Sequence, residues 1–134
     1  MTNYRSLIDH YRAVLGLGQK LKPVDINRVS LHLTRLNISD KDTRALFTVA
    51  YYHLKAHTRF KEDKVQVIAY TLSEGVRLLG TGVSKENVRM EMIRIPTKFF
   101  SEESDIVNSA DIALDYLERM ISSVSEALKE GAAL

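Results

Sequence analysis

Apolar residues recur along most of the chain at the three- and four-residue spacing of an amphipathic helix. The first such stripe lies near the start of the chain and consists of Tyr4, Leu7, Ile8, Tyr11 and Leu15. Glycines at positions 16 and 18 follow it, and glycine commonly ends a helix because it adopts the left-handed conformation without strain. The pattern therefore predicts a first helix that ends near residue 15.

Capping residues divide the next stretch into two more predicted helices. Asp25 is the expected N-cap of a helix over residues 25–36, because its short carboxylate can accept hydrogen bonds from the first free backbone amides. Asn37 suits the left-handed position that ends this helix. Ser39 is the expected cap of a third helix, which runs from residue 40 to about residue 59.

Residues 62–79 fit a helix better than a strand, although both patterns are present. A helical stripe runs without interruption through Val65, Ile68, Ala69, Leu72, Val76 and Leu79. The segment 64–72 is also rich in β-branched and aromatic residues, and Gly75 can mark a turn. The alternative is an α+β fold with a small antiparallel sheet within 64–95, made of 64–72, 76–82 and 87–95.

Two further helices complete the predicted chain. Ser84 is the expected N-cap of a short helix, which Pro96 ends because the residue before a proline avoids helical geometry. Ser101 is the expected N-cap of the last helix, and the acidic residues that follow it suit the positive end of a helix dipole.

The last helix carries the most regular apolar pattern of the chain. Alternating steps of three and four residues define a seam of Val107, Ala110, Leu114, Leu117, Ile121, Val124 and Leu128. A second apolar row on its flank consists of Ile106, Ala113, Met120 and Ala127. A stripe this wide packs in a helical bundle, within one chain or between two copies. The residues predicted to mediate self-association or partner binding are Val107, Leu114, Leu117, Ile121, Val124 and Leu128.

These segments together predict an all-α fold. We expect a compact bundle of about five helices, with the long amphipathic C-terminal helix at its centre. The length of 134 residues and the apolar content of 45% predict one helical domain over residues 1–134.

Charge is distributed unevenly along the chain. The net charge is only +2, but residues 1–100 contain 17 Lys and Arg against 9 Asp and Glu, whereas residues 101–134 contain 2 against 8. A basic body is typical of a surface that binds an anionic partner such as nucleic acid. The candidate nucleic-acid contacts are Arg28, Arg35, Lys55, Arg59, Lys61 and Lys64. The acidic helix is the alternative counterpart of this surface, although Asp111, Asp115 and Glu118 share a face that we expect to be solvated.

The sequence contains no complete motif for catalysis, metal binding or phosphate binding. It contains no cysteine, which excludes disulfides and thiolate chemistry and fits a cytoplasmic protein. His53 and His57 have the four-residue spacing of paired metal ligands, but a third ligand is not evident, so we predict no metal and no cofactor. The glycine-containing segments 16–20 and 80–85 lack the full phosphate-binding motifs and are interpreted as helix ends. No apolar run is long enough to span a membrane, and we expect no membrane association.

Three functional hypotheses remain open at this level. The first is a non-enzymatic protein–protein interaction module, an adaptor, inhibitor or regulator, which self-associates through its C-terminal helix. The alternative is a nucleic-acid-binding regulator that uses the basic surface of residues 1–100. A helix-turn-helix over residues 25–60 is one form of it, but Asp40 and Asp42 at the start of the second helix would repel phosphates. The third is a small helical enzyme whose site is assembled only in space.

Overall fold

The protein is helical throughout the part of the chain that the structure describes. The structure, a computed structural model, describes residues 23–131, with side chains over 29–40 and 43–122. The helices are α1 (Pro23–Arg35), α2 (Lys41–His57), α3 (Glu62–Gly80), α4 (Lys85–Thr97) and α5 (Glu103–Gly131). No strand occurs between residues 23 and 131. The all-α prediction is therefore confirmed, and the first predicted helix, over residues 4–15, lies outside the described residues.

Helix α3 occupies the centre of the bundle, and the sheet predicted as an alternative within 64–95 does not form. This helix packs against α2, α4 and α5 and is buried on nearly all of its faces. A helix enclosed on all sides needs apolar residues around its circumference, which explains why Val65, Val67 and Ile68 resemble a strand pattern. Within residues 23–131 the prediction that the C-terminal helix lies at the centre is wrong, because α3 has this position and α5 packs against α3 and α4.

Gly75 permits a close approach between α3 and α4 and does not form a turn. A Cβ atom at this position would lie 2.5 Å from the Sδ atom of Met92, well inside van der Waals contact. Met92 is fully buried in the common core. The glycine therefore sets the distance between these two helices.

The helix boundaries follow local capping chemistry, with shifts of one or two residues from the predicted positions. Asn37 has a φ of 59° and ends α1 as predicted, with Ile38 N–H donating to the Leu33 carbonyl at 2.9 Å. The cap of α2 is Asp40 and not Ser39, because the Asp40 carboxylate accepts a hydrogen bond of 2.9 Å from the Thr43 amide.

The remaining predicted caps give mixed results. Ser84 caps α4 as predicted and accepts a hydrogen bond of 3.3 Å from the amide of Asn87. Asp25 lies inside α1, which is described from Pro23 onward, and is therefore not its N-cap. Helix α5 begins at Glu103, two residues after the predicted cap Ser101.

Helix α5 places its predicted seam partly inside and partly outside the bundle. Its buried apolar positions among the described side chains come from two rows, and they are Ala110, Ala113, Leu117 and Met120. Leu114 and Ile121 are half-buried, and Val107 is 50% exposed. The described part of α5 therefore uses one side of the seam for its own core and leaves the row of Val107, Leu114 and Ile121 at the periphery.

None of the helices within residues 23–131 combines the length and the apolar character required to cross a lipid bilayer.

Candidate functional site

Glu62, in the first turn of α3, is the hub of a polar network that joins three helices. Its carboxylate accepts hydrogen bonds from Tyr51 Oη, from Lys55 Nζ at 2.8 Å and from Gln66 Nε2 at 3.3 Å. His32 Nε2 of α1 lies 3.4 Å from the same carboxylate. Burial raises the pKa of Glu62, but the hydrogen bonds from Lys55, Tyr51 and Gln66 and the charge of Lys55 outweigh burial and lower the pKa below 4.5. The network therefore fixes the ends of α1 and α2 against α3.

Gln66 connects this network to Arg35 at the surface. The side chain of Gln66 is only 1% exposed, so its amide has to be hydrogen-bonded within the protein. The amide nitrogen of Gln66 donates to Glu62, and its oxygen accepts a hydrogen bond from the Arg35 guanidinium. The same guanidinium lies 3.9 Å from the carboxylate of Asp63. Arg35 is thus held at the end of α1, on the edge of a cleft.

The first cleft lies between the end of α1, the first two turns of α3 and the turn that joins α4 to α5. Its volume is about 370 Å³, and its lining residues are Arg35, Leu36, Asp63, Gln66, Val67, Phe99 and Phe100. Phe99 is 39% exposed, and its ring packs edge-on against Tyr70 with the ring centroids 6.1 Å apart. The cleft therefore combines one held guanidinium with aromatic surface.

A second cleft adjoins the first and shares Asp63 and Phe100 with it. Its volume is about 460 Å³, and its lining residues are Arg59, Phe60, Lys61, Asp63, Lys64, Phe100 and Asp105. The Lys64 ammonium lies 4.9 Å from the centroid of the Phe60 ring, a cation–π contact. We call the two adjoining clefts the double cleft. Across it, four cationic side chains and three phenylalanines face two carboxylates.

The double cleft brings together most of the residues predicted to contact nucleic acid. Arg35, Arg59, Lys61 and Lys64 all line it. Lys55 does not line either cleft, because its ammonium is engaged with Glu62. The side chain of Arg28 lies outside the described residues.

Sequence reasoning missed the aromatic and acidic members of the double cleft. The third helix is predicted to continue to about residue 59, but α2 ends at His57 and Phe60 lies in the connection before α3. Phe99 and Phe100 lie in the turn between two helices, and adjacent aromatic residues outside a helical stripe are a usable signal of a surface site. The role of Asp105 was not predictable, because its position depends on how α5 crosses the bundle.

The residues predicted for self-association do not form one continuous surface. Leu117 is 3% exposed and belongs to the core of its own chain. Leu114 and Ile121 pack partly against the same core, while Val107 remains exposed. Val124 and Leu128 lie in α5, with their side chains outside the described part of the structure.

The other candidate sites contribute structure more than chemistry. The rings of His53 and His57 lie 4.6 Å apart, and His53 Nε2 is 3.5 Å from the hydroxyl of Tyr116 on α5. In the described part of the chain, no three histidine, cysteine, aspartate or glutamate side chains form a cluster that could hold a metal ion.

The acidic face of α5 and the proposed helix-turn-helix can also be located. Asp111 and Asp115 are exposed, and Glu118 forms an ion pair of 2.9 Å with Arg89 of α4, so the prediction of a solvated face is confirmed. In a helix-turn-helix the start of α2 would enter the DNA groove, but Thr43 and Thr48, two of the candidate groove-facing residues there, are buried in the bundle.

Neither a protein-family model, nor a curated protein, nor a solved structure matches this chain.

Proposed function

We propose that the protein is a non-enzymatic nucleic-acid-binding regulator and that the double cleft is its binding surface. One observation carries this proposal: four cationic residues and three phenylalanines, from three separate parts of the chain, converge on two adjoining clefts. Cations neutralise phosphates, and aromatic rings stack on bases, so this combination suits nucleic acid better than either feature alone. The place of action in this proposal is the cytoplasm, as the cysteine-free composition suggests.

The cations of the double cleft differ in how firmly they are held. Arg35 is anchored by Gln66, and Lys64 lies over the Phe60 ring. Arg59 and Lys61 are exposed in the short connection between α2 and α3. The backbone of Lys61 occupies the N-cap position of α3, but its side chain makes no capping hydrogen bond. These two side chains therefore extend towards solvent, where they can meet a phosphate backbone without loss of structure.

Charge reversal at these two positions tests the proposal. The wild-type chain is titrated with labelled oligonucleotides at low salt, and the titration is repeated with Arg59→Glu/Lys61→Glu. We expect binding to weaken by more than about tenfold, and the slope of log affinity against log salt to fall by about two for duplex DNA if both cations contact phosphates. A folding defect is not expected to lower this salt slope in the same way. Thermal melting of the variant detects such a defect separately.

A matched variant distinguishes the effect of the double cleft on binding from the effect of net charge. Lys85→Glu/Arg94→Glu makes the same change in net charge at exposed positions on α4, outside the lining of both clefts. When the variants are compared at an ionic strength of about 0.15 M, we expect its affinity to stay within about threefold of wild type, because exposed charges beyond the Debye length of about 8 Å are then largely screened. The proposal is wrong if wild-type protein binds neither duplex nor single-stranded oligonucleotides at low salt, or if both double variants weaken binding equally.

A second candidate function is interaction with protein, through self-association along α5. The observation that favours it is the peripheral row of Val107, Leu114 and Ile121, whose seven-residue spacing is that of a helix–helix interface. Light scattering on Val107→Glu tests this candidate, because Val107 is 50% exposed in the single chain and its replacement should separate dimers without unfolding them. Leu117→Glu should instead unfold the chain, since an unpaired buried charge costs several kcal/mol. A monomeric wild-type protein would exclude this candidate.

A further inference from the structure

We infer that the double cleft binds single-stranded nucleic acid through bases that have left the stack, in preference to duplex. This inference rests on the proposed function and specifies the ligand of the same site. It follows from the placement of the phenylalanines, because cations alone would not distinguish a single strand from a duplex. In a duplex the base faces are covered by their neighbours, so only a single strand can present them to an aromatic side chain.

Phe100 has the position of a shared stacking platform, because it lines both clefts. The turn that carries it is fixed by backbone hydrogen bonds. The amides of Phe99 and Phe100 donate to the Pro96 carbonyl at 3.1 Å and 3.0 Å, and Pro96 itself is buried. The side chain of Phe99 is held on one side by the ring of Tyr70. A platform that is ordered before binding loses less conformational entropy when a base packs against it.

The second cleft pairs an aromatic ring with a cation at the scale of one nucleotide. The Lys64 ammonium is 4.9 Å from the centre of the Phe60 ring, and both residues line this cleft together with Arg59 and Lys61. A nucleotide presents its base and its phosphate at neighbouring positions, so a ring with adjacent cations meets both requirements. In the first cleft, Phe99 and Arg35 provide the same combination.

The volumes of the two clefts agree with this occupant. At about 370 Å³ and about 460 Å³, they reach the lower part of the range for small-molecule sites, which begins at about 300 Å³. Each is therefore a recess that an individual nucleoside can enter. A duplex backbone would contact only the rims, where Arg59 and Lys61 are exposed, and would leave the phenylalanines without a partner.

The experiment compares a single strand with an abasic strand that has the same phosphate charge and with a duplex that has more phosphates but covered base faces. The full chain is titrated by fluorescence anisotropy with an oligothymidylate long enough to span both clefts, with an abasic strand of equal length and with a duplex of equal length. We expect the oligothymidylate to bind at least about tenfold more tightly than the other two at the same salt concentration, the contribution of roughly one stacked base.

Variants then test whether the phenylalanines supply the part of the affinity that depends on the bases. Phe100→Leu keeps apolar volume and removes the ring, so oligothymidylate affinity should fall by about tenfold while affinity for the abasic strand and the salt slope stay unchanged. Phe60→Leu should give a similar loss through the second cleft, and it replaces Phe100→Leu if that variant does not fold. The control is Tyr116→Leu, which removes a half-buried ring on α5 outside both clefts and should leave all three affinities unchanged.

The outcomes separate this inference from the function on which it rests. If the duplex and the abasic strand bind as tightly as oligothymidylate, or if neither Phe100→Leu nor Phe60→Leu affects oligothymidylate binding, the inference is overturned and the proposed function stands. If no oligonucleotide binds, both are overturned. Binding of polyglutamate in the absence of any oligonucleotide binding also overturns both and assigns the cations to an acidic protein partner.

Discussion

The two ends of α3 contact their neighbours by different physical means. At the Glu62 end, contacts with α1 and α2 are polar, directional and partly charged, and they converge on the carboxylate of Glu62. At the Gly75 end, α3 approaches α4 so closely that Met92 packs onto a position with no side chain. The double cleft lies beside the polar end, where the end of α1 and the first turns of α3 meet the turn after α4. The same helix therefore lines the candidate site at one end and packs closely against α4 at the other.

Breaking the close-packed end should have the largest effect on stability. Met92 is fully buried, so Met92→Ala should lower the free energy of unfolding by about 2–5 kcal/mol, because it removes apolar contacts and leaves a cavity. Denaturant unfolding monitored by circular dichroism measures this change. The loss should leave oligonucleotide affinity unchanged under conditions where the variant is folded, because Met92 lines neither cleft.

Gly75→Ala tests the close-packed end further, because its effect on the free energy of unfolding should change sign with the residue at position 92. In the wild-type background the new Cβ collides with Met92, and overpacking of about 1–3 kcal/mol exceeds the gain of about 1 kcal/mol in helix propensity. In the Met92→Ala background the collision disappears, so Gly75→Ala should stabilise the protein by about 1 kcal/mol. Additive effects in this double-mutant cycle would show that the two helices are not in such close contact.

The sequence predicts local features to within one or two residues and misses those that depend on how helices cross. Asn37 and Ser84 were identified as helix-boundary residues because turn and cap geometry is local. The helix through Gly75 was predicted from the apolar stripe, but its close approach to α4 was not, since nothing near Gly75 in sequence reveals that Met92 packs against it.

The candidate site shows the same division between local and long-range information. Arg59, Lys61 and Lys64 are close in sequence, and their clustering was predictable from charge alone. The addition of Phe100 and Asp105 to the same cleft was not, because it requires the turn after α4 and the start of α5 to meet the first turns of α3.

The polar end of α3 should respond to pH where the close-packed end does not. Because the pKa of Glu62 is lowered in the folded state, its contribution to stability is present above about pH 4.5 and is lost as the pH falls through the lower, folded-state pKa. Glu62→Gln should therefore reduce the free energy of unfolding by about 1 kcal/mol near neutral pH, discounted for partial exposure, and by progressively less in acid.

Urea unfolding of wild type and Glu62→Gln at several pH values measures how the difference in their free energies of unfolding shrinks in acid. Glu86→Gln is the matched control, because Glu86 also lies in the first turn of a helix but is exposed on α4. The free energy of unfolding of this control should differ little from that of wild type at every pH. A stability difference for Glu62→Gln that stays constant into acid would contradict the assignment of Glu62 as the ionised centre of the network.

The smallest predicted effect concerns the carboxylates that face the cations of the double cleft. Asp63 lies 3.9 Å from Arg35 and lines both clefts, and Asp105 lines the second. Both would repel an incoming phosphate, so Asp63→Asn/Asp105→Asn should strengthen oligonucleotide binding by about threefold at low salt, with the gain disappearing at high salt as charges are screened. The control is Asp111→Asn/Asp115→Asn, which removes the same charge from exposed positions on α5 outside the clefts and should leave affinity unchanged. Equal gains from both double variants would mean that net charge, and not the double cleft, governs binding.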